Sequence, residues 1–216
     1  MPQAMTDERR VFIAVEGVIG VGKTTLVRLL QPYLDAEILL EVVEENPFLA
    51  HFYEDRARYA FQTQIFFLLS RYRQQRVVVP QTIARKSLLS DYLLDKDRIF
   101  ARINLQGDEW NMYERLYEIL ADRTTRPDLA IYLRGRLDVL MARIATRDRS
   151  FERTVEHEYI EQIRQSYEAF FGEYDRAPLL TIDTNELDYV HRPEDLQVVL
   201  GAVRTMLREG YQRVTM

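Results

Sequence analysis

Gly17-Val18-Ile19-Gly20-Val21-Gly22-Lys23-Thr24 follows the apolar run Val11-Phe12-Ile13-Ala14-Val15 and leads into Thr24-Thr25-Leu26-Val27-Arg28-Leu29-Leu30. The apolar run reads as a buried strand and the segment after Lys23 as a helix. Strand, glycine-rich loop and helix in that order are the context a G-x-x-x-x-G-K-[ST] motif requires. The glycines let the backbone curl so that its N–H groups converge on phosphate oxygens. The helix N-terminus adds partial positive charge at the same place. Lys23 reaches the outer phosphates and Thr24 can ligate an accompanying magnesium ion. Residues Gly17, Val18, Ile19, Gly20, Val21, Gly22, Lys23, Thr24 and Thr25 therefore form a site for a nucleoside triphosphate. A glycine-rich turn without a ligand would not need both flanking elements.

The rest of the chain narrows the class. Its 216 residues suit one well-buried domain, residues 1–216, rather than two. Charged residues make up 29% and hydrophobic ones 47%, an ordinary globular mixture. A net charge of -5 gives no general affinity for nucleic acid or an anionic membrane. With no cysteine, disulfides, thiolate metal sites and cysteine nucleophiles are excluded, and a reducing, cytoplasmic setting is expected. The first ten residues are polar, unlike a signal peptide. Apolar runs such as Ile65-Phe66-Phe67-Leu68-Leu69 are too short to span a bilayer. His51, His157 and His191 are scattered without metal-ligand spacing.

Apolar runs at 11–15, 38–43, 87–90, 129–133 and 179–182 alternate with amphipathic stretches at 56–75, 108–121, 137–145, 155–171 and 193–207. This alternation predicts an α/β fold with a five-stranded parallel sheet flanked by helices. In such sheets ligands bind outside the carboxyl ends of the strands, so polar residues just after strands matter most. Val43-Glu44-Glu45-Asn46-Pro47 ends the second run, because asparagine-proline turns the chain. It places Glu44 or Glu45 at the sheet edge, where a carboxylate can accept a proton from an attacking hydroxyl. A solvated acidic loop is the alternative. Asp91, after Ser87–Ser90, is placed to hold magnesium, or simply caps the next helix. Arg143 and Arg147 share a helix face and Arg149 lies just beyond. Three converging arginines suit the charge on a transferring phosphoryl group, though Asp148 and Glu152 could merely neutralise them. In Tyr59–Arg71, Gln64 and Arg71 lie seven apart on one face of an aromatic-rich helix. A glutamine there can pair with a nucleobase edge, or belong to a polar rim.

Taken together, these residues resemble the deoxyribonucleoside kinases, particularly the bacterial purine type, over nearly the whole chain. The resemblance runs through Gly17 to Thr25, Glu44-Glu45-Asn46-Pro47-Phe48-Leu49, Phe52-Tyr53-Glu54, Arg58-Tyr59, Phe61, Gln64 and Leu69-Ser70-Arg71. It implies a P-loop kinase fold with a short arginine-rich lid at about 143–153. It implies Glu44 as catalytic base, with Lys23, Asp91, Arg143, Arg147 and Arg149 acting on the phosphates. Tyr53 and Glu152 would hold the sugar 3′-hydroxyl, Gln64 would read the base, Arg71 would assist at its edge and Phe100 would stack on it. Thr24 and Asp91 would keep Mg2+ in place with ATP as donor. The run Leu180-Thr181-Ile182-Asp183-Thr184-Asn185-Glu186 is similar to the loop over the donor adenine. One departure stands out: the family places an arginine directly after the acidic residue, and here Tyr92 follows Asp91. The cation that steadies the base carboxylate and the phosphates is missing from that position; either another arginine substitutes or turnover is low.

The resulting expectation is transfer of the ATP γ-phosphate to the 5′-hydroxyl of a deoxyribonucleoside in nucleotide salvage. A purine is preferred, with deoxyadenosine slightly ahead of deoxyguanosine. The family implies a homodimer, or a heterodimer with a related subunit, built on long helices. Trp110 could belong to core or interface. A nucleoside monophosphate kinase resembling thymidylate kinase is the nearest rival, but it would need basic groups for the acceptor's own phosphate. A GTPase-type switch would need N-K-x-D and D-x-x-G, and neither is present. A nucleic-acid-stimulated ATPase would need a basic stripe.

Overall fold

A computed structural model describes residues 10–149, 155–185 and 187–216. Strand β1 (Phe12–Gly17) is buried at every position, which a strand manages only with neighbours on both edges and cover on both faces. Those neighbours are β3 (Ser87–Ser90) and β4 (Leu129–Arg134), both parallel to β1. Outside them lie β2 (Ala36–Leu39) and β5 (Leu179–Asp183), and the full order is β2-β3-β1-β4-β5-β6. The chain thus steps to opposite sides of β1, so the crevice at the carboxyl end of β1 is the topological switch point where ligands bind. The phosphate loop occupies that crevice.

The sheet has six strands rather than the expected five. β6 (Arg213–Thr215) adds to β5 at the edge. Three residues with one apolar side chain carry no pattern that a sequence reading can detect. The second strand also differs: the apolar run at 38–43 predicts a strand to Val43, but β2 ends at Leu39. Its ladder partner explains this. β3 ends at Ser90, which pairs with Leu39, so the next residues have no strand to bond. Apolar character continues past the end of the ladder, and the sheet edge falls four residues earlier than hydropathy implies.

The helices are α1 (Lys23–Leu34), α2 (Leu49–Glu54), α3 (Arg56–Ile83), α4 (Lys96–Asn104), α5 (Gly107–Ala121), α6 (Leu137–Arg147), α7 (His157–Gly172) and α8 (Pro193–Glu209). The short α2 and the charged start of α4 have no sequence counterpart in the periodicity. In Asp95-Lys96-Asp97-Arg98 a run of four charges reads as surface, yet the first three are buried. A ring cluster joins α7 to the sheet: Tyr132 stacks on Phe171 at 4.2 Å, with Tyr167 beside them. Trp110 stacks on Tyr113 at 6.1 Å with the Arg102 guanidinium over it.

Candidate active site

The phosphate loop turns tightly because three of its glycines adopt positive φ, and at Gly20 (φ +85) no other residue fits. A Cβ there would come 2.8 Å from the Leu140 carbonyl of α6. The Gly22 carbonyl then accepts the first helical bond, from Leu26 N–H at 3.0 Å, which opens α1 at Lys23. The Lys23 ammonium curls back over the loop and donates to the carbonyls of Gly17 (2.6 Å) and Val18 (3.2 Å). Burial pushes its pKa down to about 8, and the nearby Lys96 charge adds to the shift. Beneath the loop, Glu16 is fully buried and accepts from Gly17 N–H (2.8 Å), Leu93 N–H (2.8 Å) and Tyr167 O–H (3.0 Å). It ties β1 to the segment after β3 and to α7, and burial together with this carboxylate pushes the Tyr167 phenol well up.

At the next sheet edge, Thr24 Oγ1 donates to Asp91 Oδ2. Asp91 Oδ1 accepts from Glu41 N–H at 2.7 Å. Glu41 is the first carboxylate past the end of β2, and its side chain is 10% exposed. Arg71, from the middle of α3, donates to its Oε1 through Nε and Nη2. Lys96, the first residue of α4, donates to its Oε2 at 2.6 Å. Burial alone would raise the Glu41 carboxyl, but the Lys96 ammonium and the Arg71 guanidinium hold it well below the ordinary carboxylate range. Arg71 also pairs with the fully buried Asp97.

These groups share one cavity of about 1010 Å³. One side of it is walled by Leu49, Phe52, Tyr53, Thr63, Gln64, Phe67, Phe100 and Tyr159. Gln64 is 2% exposed and its Oε1 has no partner. Phe100 is half-buried, its edge against Tyr167. Thr184, Asn185 and 187–192 line another wall, after β5. Arg143 fastens this wall to the loop, donating to Val21 O (3.2 Å), Thr184 Oγ1 (3.1 Å) and Thr184 O (3.2 Å). Helix α6 ends after Arg147 at Asp148, whose φ of +48 turns the chain toward Arg149. Arg147 and Arg149 line the cavity, and Arg149 pairs with Glu44 at 3.2 Å.

The chain matches the deoxynucleoside kinase family model over residues 13–208. The chain belongs to that family. It is 32% identical to a deoxyguanosine kinase of Bacillus subtilis over 201 residues, covering 91% of this chain and 97% of that one. It is 30% identical to a deoxyadenosine kinase of Lactobacillus acidophilus, covering 91% and 96%. Among solved structures, the deoxyadenosine kinase of M. mycoides with bound dATP superposes with a TM-score of 0.78 at 29% identity, covering 90% of this chain and all of that one. This is a deoxynucleoside kinase, an ATP-dependent phosphotransferase.

Of the residues singled out from sequence, the kinase brings Lys23, Thr24, Asp91, Tyr53, Gln64, Arg71, Phe100, Arg143, Arg147, Arg149 and Glu44 to one cavity. Glu152 lies outside the described residues, as does Glu186. Glu45 is exposed and does not line the cavity. Glu44 is 66% exposed and its carboxylate meets Arg149. Asn46 turns inward in place of both: its side chain donates to Thr63 O at 3.2 Å and caps Phe48 N–H at 3.0 Å. Sequence reasoning did not single out Glu41, Lys96 or Glu16. For Glu41 a signal existed, a lone carboxylate inside Ile38-Leu39-Leu40-Glu41-Val42-Val43. Among the described residues no helix is long and apolar enough to cross a membrane.

Proposed function

We propose that this kinase phosphorylates the 5′-hydroxyl of a purine deoxyribonucleoside in nucleotide salvage, with Glu41 as the general base and ATP-Mg as donor. The observation that carries the reading is the ionised Glu41 carboxylate held between two cations, facing the same cavity as the phosphate loop. Glu41 takes the 5′-hydroxyl proton as O5′ bonds to the γ-phosphorus. The bond from that phosphorus to the β-bridging oxygen breaks, and its electrons leave with ADP. Lys23 and the loop amides hold the β- and γ-phosphates, while Arg143, Arg147 and Arg149 offset charge as the phosphoryl moves. Glu44 serves the lid through Arg149 rather than the proton.

The donor set around Thr24 and Asp91 fits magnesium. Two hard oxygens in contact are what this ion takes from protein when phosphate oxygens and water complete its shell. Among the described residues no group of three or more His, Asp or Glu side chains is placed to hold a metal ion, so the site offers a partial donor set rather than an all-protein cage. Thr24 and Asp91 would hold the ion, which when bound would offset the negative charge of the phosphates.

For the acceptor, Tyr53 and Glu152 would hold the sugar and Phe100 would stack on the base. Gln64 Oε1 is a buried acceptor without a donor, a state that costs about 1–3 kcal/mol unless a ligand N–H fills it. A nucleobase edge supplies that N–H. The names of the relatives favour purines, one being a deoxyguanosine kinase and another a deoxyadenosine kinase. A dimer would use α3 and α5, where Leu69, Val77, Val78, Met112 and Ile119 are exposed; sedimentation velocity tests it. The deciding assay is ADP release from ATP-Mg with each of the four deoxynucleosides, deoxythymidine monophosphate, and no acceptor. Release only with deoxyadenosine or deoxyguanosine is expected. Release only with the monophosphate would overturn the acceptor assignment.

A further inference from the structure

Lys96 breaks three local rules at once. It is buried to 7% exposure, where lysine is rare. It opens α4, the end of a helix that repels a cation. It also lies close enough to Lys23 to lower that group's pKa, so two ammonium groups are kept near each other. A position that violates local preference this consistently is held for its chemistry. No cation stands directly after Asp91 in its place: Tyr92 is fully buried and donates its hydroxyl to Gln74 Oε1 at 2.7 Å, away from the cavity lining.

The hydrogen bonds on Glu41 show what the ammonium does. Each carboxylate oxygen accepts about two hydrogen bonds. Oε1 receives both, from Arg71 Nε and Nη2. Oε2 receives one, from Lys96 at 2.6 Å. One lone pair of Oε2 is therefore left for a hydroxyl on the cavity side. The Phe100 ring, 5.5 Å from Lys96 Nζ, fixes the ammonium from the acceptor wall.

We infer that Lys96 is the positioning residue of this kinase: clamped against Arg71, it fixes the Glu41 carboxylate so that Oε2 is the atom that takes the 5′-hydroxyl proton. Lys96 thereby supplies, from the first turn of α4, the cation that the residue after Asp91 does not. This inference rests on Glu41 being the general base.

The test is a double-mutant cycle read as acceptor-dependent ADP release by the full chain. Lys96→Met removes the charge and keeps the length. It is expected to lower kcat about 100-fold, the usual scale for losing one preorganised charge, with the KM for ATP within about threefold. Lys96→Arg keeps the charge and is expected to recover to within about tenfold of wild type. In a Glu41→Gln background, Lys96→Met is expected to cost less than about threefold, because its effect passes through that carboxylate. Melting curves and ATP titration by calorimetry accompany each variant, and Lys96→Gln replaces Lys96→Met in the cycle if the latter does not fold. Equal losses in both backgrounds, or an arginine variant no better than methionine, would overturn the inference. So would a kcat within about threefold of wild type for Lys96→Met. If wild type itself shows no acceptor-dependent release, the functional reading fails instead, and the two failures are distinguishable.

Discussion

The phosphate loop and the wall that faces Glu41 are built on different principles. The phosphate loop is one continuous piece of chain, from β1 into α1, in which backbone geometry makes the cradle and Lys23 folds back over it. The wall around Glu41 is a set of side chains from distant places: Glu41 after β2, Gln64 and Arg71 from α3, and Lys96 from α4, with Asp97 buried behind Arg71. A local site is cheap to specify and tolerant, since each part is adjacent in sequence. An assembled site depends on mutual compensation. Arg71 and Lys96 are buried cations that need Glu41 and Asp97, and removing one partner leaves the others uncompensated.

This contrast orders the expected effects. Glu41→Gln is expected to lower kcat about 1000-fold, the range of a lost general base, with the KM for ATP nearly unchanged. Steady-state kinetics against deoxyadenosine and deoxyguanosine check it, and a mild effect would mean that the assembled site carries binding rather than chemistry. Lys23→Met should cost about 100-fold in kcat/KM for ATP, visible also as weakened ATP binding by calorimetry. Were the loss confined to the nucleoside, the two sites would not be separable as drawn.

Smaller changes sharpen the boundary. Gln64→Leu is expected to raise the KM for the nucleoside roughly tenfold and leave the KM for ATP alone, because it deletes a single buried acceptor. Glu44→Gln should matter least. Its partner Arg149 is partly exposed, and such pairs contribute well under about 1 kcal/mol, so kcat should change less than about threefold and the melting temperature hardly at all. Inactivity of Glu44→Gln alongside an active Glu41→Gln would reverse the roles given to the two carboxylates.

The pair Glu41 and Glu44 also shows where sequence reading stops. The apolar run to Val43 puts the sheet edge beside Glu44, and hydropathy has no means of saying otherwise. Only the pairing of Leu39 with Ser90, the last residue of β3, ends the strand early and brings Glu41 to the edge. A ladder ends where its partner ends, and the partner lies some fifty residues away in the chain. The run Asp95-Lys96-Asp97-Arg98 teaches the same lesson, since its first three charges are buried and each meets its counterpart from another element.

By itself the sequence determined the phosphate loop, the parallel α/β architecture and the family, and it named arginines and aromatics that the fold gathers at one cavity. Each of these rests on short-range pattern: glycine spacing, hydrophobic period, or residues one or two helical turns apart. The tertiary structure alone decided the sixth strand, the end of β2 and the meeting of Glu41 with Arg71 and Lys96 at the cavity. Those depend on which distant segments stop beside one another, and on buried charges that are stable only once their partners have arrived.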